Sequence, residues 1–175
     1  MREVKFILQN KNVEVDGIRR NDPRFPVGLF DVLSFKQTGE NFRIILNAAG
    51  KLDLIKIDKQ ESSHKICKIA GKTAIKGKVQ LNLNDGKNIV TEDSQYKVGD
   101  GVLLELSGKA KIKEKISLDK NALIYLTDGK HIGRTGKVVD ITGNRILYKA
   151  DEAVIETLKD AAFPVGKDKP LIKLG

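Results

Sequence analysis

The stretch Leu126–Asn144, LTDGKHIGRTGKVVDITGN, sets Lys130, His131, Arg134 and Lys137 among Gly129, Gly133 and Gly136, between two apolar runs. Cations interleaved with glycines suit phosphate: the charge attracts it, and glycine lets the backbone approach closely and take positive φ. Spacing separates the possible chemistries. A P-loop requires G-x-x-x-x-G-K-[ST]. Here Val138 follows Gly136-Lys137, and His131 stands five residues before Gly136, so the first glycine and the magnesium-binding hydroxyl are both missing. A dinucleotide fingerprint requires G-x-G-x-x-G opening a helix. The glycines here run G-x-x-x-G-x-x-G and lead into the β-type run KVVDI. A strand–loop–strand reading fits better: ALIYL enters, TDGKHIGRTG loops and KVVDI leaves. Flexible cations around free backbone amides are what the irregular phosphate backbone of a nucleic acid requires. The competing reading is a plain hairpin with a solvated basic tip.

A second group of cations is Arg19, Arg20 and Arg24, around Asp22-Pro23. Arginine favours bidentate phosphate contact, although a solvated basic turn has the same composition. Lys109, Lys111, Lys113 and Lys115 alternate. On a regular strand they share a face, either as a cationic stripe or as an edge protected against aggregation. His64 and Cys67 have H-x-x-C spacing, but a metal site needs about four ligands and the other histidine, His131, is remote in sequence. No metal site or cofactor is therefore expected, and Cys67 reads as a small buried hydrophobe. Phe35 and Phe42 flank KQTGEN and read as core residues. No G-x-S-x-G and no paired carboxylates in a suggestive setting are present, so no catalytic residue is assigned.

These residues need scaffolding. The chain has 175 residues, enough for one ordinary domain or a few small ones with a real core. Thirty-two Lys and Arg face 23 Asp and Glu, a formal charge of +9 that favours polyanionic partners. No window is apolar over ~18 residues, so no membrane-spanning helix is expected. A single cysteine rules out an internal disulfide and is compatible with a reducing cytoplasm. Turn signals such as QTGEN, NAAGK, NDGK, LSGK, TDGK and ITGN separate short β-type runs, a spacing that predicts small β-barrels or sandwiches. REVKFILQN has helical spacing, and VEVDGIRR reads as a hairpin turning at Asp16-Gly17. That helix and hairpin are too small to fold alone, so residues 1–22 need a partner. Near the C-terminus, AVIETL and its surroundings predict a short strand and one helical turn ending before Pro164.

The pattern apolar-T-x-G-K-x-x-G-x-x-G-K-V-x-x-I over Leu126–Ile141 resembles the KOW motif of SH3-like barrels, with Asp128 as a one-residue addition. The segments FPVGLFDVLSFKQTGENFRIIL, KICKI and FPVGKDKPLIKL, in this order around it, resemble the e-type small-subunit ribosomal protein number four family of archaea and eukaryotes. The likeness covers essentially the whole chain. It implies a mainly β protein: a partial α/β S4-type RNA-binding piece at 1–22, a central barrel-like β domain at 23–118, and a KOW SH3-like barrel with a tail at 119–175. Relative to that family, the chain reads as truncated at its N-terminus. The resemblance implies a ribosomal component in the cytoplasm that is not an enzyme. Its partners would be small-subunit ribosomal RNA and neighbouring ribosomal proteins, with no membrane, as a monomer outside the ribosome. RNA contacts are then expected from Arg19, Arg20, Arg24, Lys130, His131, Arg134 and Lys137, with Gly129, Gly133 and Gly136 shaping the loop. A KOW-bearing transcription or elongation factor that binds polymerase is the alternative; a small-molecule enzyme on a β-barrel lacks a catalytic set.

Overall fold

Short β-type runs broken by glycine turns fold into three five-stranded antiparallel sheets that follow one another along the chain. The computed structural model describes residues 2–10, 12–108, 110–150 and 153–175.

The first sheet contains β1 (Val13–Val15), β2 (Ile18–Arg19), β3 (Val32–Phe35), β4 (Glu40–Leu46) and β5 (Leu52–Ile57), in the order β2-β1-β3-β4-β5. Helix α1 (Arg2–Asn10) precedes it. Asp16 and Gly17 take φ of 52° and 73°, as a type I′ hairpin turn demands. Strand β1 also pairs with β3, Glu14 opposite Ser34. The hairpin at the N-terminus thus finds the partner it needed within the chain.

The second sheet contains β6 (His64–Ile75), β7 (Lys78–Leu83), β8 (Asn88–Thr91), β9 (Gly101–Glu105) and β10 (Lys111–Ile116), in the order β10-β9-β6-β7-β8. The first half of β6 pairs with β9 and the second with β7; a register shift between Ile69 and Gly71 lets it serve both. Strand β10 corrects the expectation that the alternating lysines share a face. A bulge between Ile112 and Glu114 reverses the alternation, so Lys111 and Lys115 project from opposite faces. Lys115 reaches back to the Gln95 carbonyl at 2.6 Å, and Lys113 approaches His64 Nε2 at 2.9 Å. Strand β10 is an edge, where lysines discourage pairing with a foreign strand. Lys109 lies outside the described residues.

The third sheet contains β11 (Leu123–Leu126), β12 (Thr135–Thr142), β13 (Arg145–Ala150), β14 (Ala153–Leu158) and β15 (Ala162–Gly166), in the order β14-β13-β12-β11-β15. One 3₁₀ turn, Lys159–Ala161, separates β14 from β15. Pro164 lies inside β15, opposite Ile124, and does not merely follow the turn. An edge strand accommodates the missing N–H.

Each sheet has its own apolar cluster, and a further one joins all three. Phe30 of the first, Ile66, Leu103 and Ile116 of the second, and Tyr125, Phe163 and Val165 of the third pack together. The Phe30 ring meets Tyr125 and Phe163 edge-on, with centroids 5.3 and 4.9 Å away. Gly101 permits this closeness: a Cβ there would stand 2.7 Å from the Pro164 carbonyl. The Tyr125 hydroxyl donates to Leu46 O at 2.8 Å and accepts from Leu46 N at 3.1 Å, which fastens β11 to the end of β4.

A polar knot joins the first two sheets. The side chain of Lys65, 1% exposed, donates to Asp16 at 2.7 Å, to Asp85 at 2.8 Å and to Asp31. Lys87 bridges Asp16 and Asp85 from the rim at 2.6 and 2.7 Å. Burial alone would push the Lys65 pKa down, but the surrounding carboxylates outweigh it and hold the ammonium charged. Burial would likewise raise Asp16 and Asp85, yet Lys65 and Lys87 hold both below the usual carboxylate value. Cys67 is wholly buried, its thiol pushed up by burial and pointed at Asp85.

Replacing Lys65 with Met leaves Asp31 without a cationic partner and Asp16 and Asp85 with Lys87 alone, and urea unfolding is expected to show a loss of about 3–5 kcal/mol. Because Asp16 and Asp85 hold depressed pKa values when folded, the unfolded chain takes up protons first on acidification. The knot's contribution is therefore complete above about pH 5 and declines below about pH 4; a urea midpoint unchanged between pH 6 and pH 3 would contradict this. Tyr125→Phe leaves Leu46 N–H without its acceptor. It is expected to cost about 1–3 kcal/mol in urea unfolding and to speed amide exchange at Leu46, whereas an unchanged exchange rate there would count against the fastening.

Candidate nucleic-acid interface

The loop between β11 and β12 presents the cations singled out in the sequence. Leu123, Ile124 and Tyr125 pair with Lys137, Gly136 and Thr135, leaving Thr127–Arg134 to cross between strands. Two glycines have separate steric reasons. Gly133, at φ 78°, lies so close to the first sheet that a Cβ would stand 2.7 Å from Leu46 O. Gly136 lies beneath the ring of Tyr148, whose atoms would overlap any Cβ. Gly129 takes φ 84° in open space.

The loop is seated rather than loose. Ile132 packs on the β4–β5 turn, its Cδ1 3.1 Å from the place of a Cβ on Gly50. Inside the loop, Gly133 N donates to Leu126 O at 2.8 Å, Ile132 N to Gly129 O at 3.2 Å and Arg134 N to His131 O at 3.1 Å. Gly129 N bonds the Asp128 carboxylate at 2.7 Å. This corrects the expectation of free amides: four of the loop's N–H groups are used in its own turns. Gripping an anion falls to side chains. Lys130 and Arg134 are exposed and His131 is half-buried; among the described residues none of the three side chains has a hydrogen-bond or ion-pair partner.

Lys137 is placed differently. It lies on β12, 3.1 Å from Asp168, with both groups largely in solvent, where such a pair contributes little. Its cross-strand neighbour is Lys149. Like charges directly opposite are unfavourable, by about 0.2–1 kcal/mol, unless an anion lies over them. Lys149 was missed in the sequence, although the alternation Arg145, Leu147, Lys149 marks one face of RILYKA. Arg145 is paired with Glu156 at 2.6 Å.

The arginine group is only partly available. Arg19 donates to the Gln9 carbonyl at 3.0 Å, capping the last turn of α1. Arg20 stacks on Phe25 with its guanidinium carbon 3.9 Å from the ring centre, and its Nε is buried without an acceptor. Arg24 is exposed, beside an Asp22 carboxylate that accepts its backbone N–H. Strand β2, which carries Arg19, is one edge of the first sheet, whereas the β11–β12 loop seats on the turn leading to β5, the opposite edge. The two cationic groups therefore belong to opposite edges of that sheet. His64 and Cys67 do not converge on a ligand: His64 Nδ1 is near Ser63 Oγ and the Gln60 carbonyl, and Cys67 points to Asp85. Phe35 and Phe42 meet edge-on at 6.0 Å, half-buried.

This arrangement can hold a polyanion by charge and position. The ribosomal family S4e matches residues 38–111, from the β3–β4 turn to the start of β10. The small ribosomal subunit protein eS4 of Methanosphaera stadtmanae is 43% identical over 180 residues, covering 99% of this chain and 74% of that protein. Its namesake from Methanothermobacter thermautotrophicus is 40% identical with the same coverage. The crystal structure of the 30S ribosomal protein S4e from Thermoplasma acidophilum superposes with a TM-score of 0.85 at 31% identity, over 99% of this chain and 89% of that one. Likeness of sequence and of fold thus run together over nearly every residue, and the chain belongs to the ribosomal S4e family.

Proposed function

We propose that this chain is a structural component of the small ribosomal subunit and that it binds ribosomal RNA through phosphates and shape, without catalysis. The relatives it resembles are named as small-subunit proteins; none of those named here supports the transcription-factor alternative. The observation that carries the RNA reading is the seated loop, in which Lys130, His131 and Arg134 are uncommitted on a rigid mount. Lys137 and Lys149 extend the same cationic character along β12 and β13. Arg24 is the most available member of the second group, with Arg19 and Arg20 already engaged. Neighbouring ribosomal proteins are the other partners, and the ribosome in the cytoplasm is the expected location.

Affinity of this kind comes from releasing counterions condensed on the RNA, so it falls steeply with salt. In binding assays with small-subunit RNA, Lys130→Gln or Arg134→Gln should each reduce the slope of log K against log salt by about 1. Binding independent of salt, or a slope unaltered in both variants, would overturn the assignment of these contacts.

A further inference from the structure

Four aspartates of this chain are followed directly by glycine: Asp16, Asp85, Asp100 and Asp128. At such a pair a peptide can rearrange through its own side chain, the nitrogen after the aspartate attacking the side-chain carboxyl carbon. Glycine leaves that nitrogen uncrowded and lets the backbone turn as the ring requires. By sequence the four pairs are equivalent; the fold makes them unequal. Asp16 Oδ1 accepts from Val32 N at 3.0 Å and its Oδ2 from Lys65 and Lys87. Asp85 Oδ2 accepts from the same two lysines and its Oδ1 from Lys87 N. Ring closure expels a carboxyl oxygen as water and so needs the protonated acid. Burial favours that form at both residues, but the two ammoniums outweigh it and keep both carboxylates ionised. Asp100, 3% exposed, accepts from Leu118 N at 3.1 Å and from Lys97 N at 2.9 Å. Its Gly101 opens β9 against the Pro164 carbonyl. In all three pairs both carboxylate oxygens are held by donors other than the following nitrogen.

Asp128 is placed otherwise. It is exposed, and among the described residues its carboxylate has a single partner, the Gly129 N–H, at 2.7 Å from Oδ1. That N–H has no backbone acceptor, and nothing lies within 4 Å of where a Cβ on Gly129 would stand. The nucleophile thus rests against the carboxyl group it would attack, with room to close on it. The chain carries its own comparison. Leu54 N makes the same contact with Asp53 Oδ1, also at 2.7 Å. There the following residue bears a bulky side chain, and β5 pairs Asp53 with Ile45 and Leu54 with Ile44, which opposes the backbone rotation a ring needs.

From this contrast we propose that Asp128-Gly129 is a self-modification site, at which the folded chain converts an ordinary peptide link into a β-linked isoaspartate. The Gly129 nitrogen gives up its hydrogen and bonds to Asp128 Cγ, whose hydroxyl leaves with that hydrogen as water. A water molecule then reopens the cyclic imide at either carbonyl. Attack at Cγ restores aspartate. Attack at the main-chain carbonyl leaves the chain running through Cβ and frees an α-carboxylate. Nothing is oxidised or reduced, and the composition of the product equals that of the starting chain. The freed α-carboxylate is the group that a protein carboxyl methyltransferase esterifies from a sulfonium methyl donor, so an enzyme of that class is the partner that fits the altered loop. The β-link also adds a methylene to the main chain inside turns closed by Gly133 N on Leu126 O and Ile132 N on Gly129 O. Isomerisation therefore loosens Ile132 from its seat beside Gly50.

The test is peptide mapping of the whole folded chain after ageing in neutral buffer made with water enriched in heavy oxygen. A β-linked peptide carrying heavy oxygen is expected at Asp128. It should form about tenfold or more faster than at Asp16, Asp85 and Asp100, which react only in molecules that have opened. Aged in urea, the same chain should react at all four pairs at similar rates, because only the shared dipeptide then remains. Asp128→Glu, which needs a larger ring, should lose the signal while keeping the parent's urea midpoint. Asp128→Asn should accelerate it, with ammonia as the leaving group. Methyl transfer from labelled S-adenosylmethionine by an isoaspartyl carboxyl methyltransferase should rise with ageing in the parent and stay flat in Asp128→Glu. A folded chain that reacts no faster at Asp128 than at the other three pairs would overturn the proposal. So would reaction at Asp128 in urea but not in the folded chain, or reaction at Asp53 at the rate of Asp128. No RNA enters these measurements, so their outcome is independent of the ribosomal-RNA reading.

Discussion

The burial of one lysine charge constrains this architecture more than any other single interaction. An ammonium taken from water is tolerated only where carboxylates surround it with good geometry. Lys65 draws its partners from three places remote in sequence: the β1–β2 turn at Asp16, the approach to β3 at Asp31, and the β7–β8 turn at Asp85. Each carboxylate also orders its own segment. Asp16 accepts from Val32 N at 3.0 Å, Asp31 from Gly28 N at 2.8 Å, and Asp85 from Lys87 N at 3.0 Å. An apolar knot of the same size could be more stable, but it would tolerate sliding. A charge with three fixed acceptors sets one relative placement of the first two sheets.

That observation changes the meaning of the basic composition. A formal charge of +9 suggests a surface painted with cations. Part of the positive charge works inside or between the sheets instead. Arg43, fully buried, donates to Glu61 and to the carbonyls of Glu61, His64 and Lys173. Lys68 donates to three carbonyls in and beside the 3₁₀ turn before β15, tying the second sheet to the third. Lys72 reaches two carbonyls, of Ser94 and Tyr96, in the segment between β8 and β9. Cationic side chains thus fasten sheet to sheet and loop to strand at carbonyls outside the ladders, a role for which long flexible donors are suited.

The turn signals and short apolar runs announced most strands, because period-two alternation and glycine at positive φ are local properties. The Asp16-Gly17 hairpin and the strand–loop–strand at Leu123–Thr142 were readable for that reason. Strand β6, the longest, was not. HKICKIAGKTAI carries three lysines along with small residues, and Lys65 and Lys68 look like solvent residues until their partners, far away in the chain, are known. The lysine alternation misled in the opposite way, since a bulge between Ile112 and Glu114 has no sequence signature. Loop cations were legible by type and spacing, but the use of the loop's amides and the engagement of Arg19 and Arg20 depend on contacts that spacing cannot show.

Under the proposed RNA contact, the seating of the β11–β12 loop links stability to recognition. A loop free in solution must lose conformational entropy when it grips RNA, and that loss weakens binding. Here Ile132 on Gly50, Gly133 against Leu46 and Asn47, and the turns closed by Gly129 and His131 carbonyls have ordered the backbone during folding. The surface on which it rests is the end of β4, held in turn by the hydroxyl of Tyr125 from the strand that leads into the loop. Mount and loop thus belong to one closed circuit: β11 fastens β4, and the turn after β4 supports the loop after β11. Loosening either contact would return disorder to the cations and lower affinity for a polyanion without removing a single charge. On the proposed reading, a side chain far from any phosphate acts on RNA binding through the order it gives to the proposed contact groups.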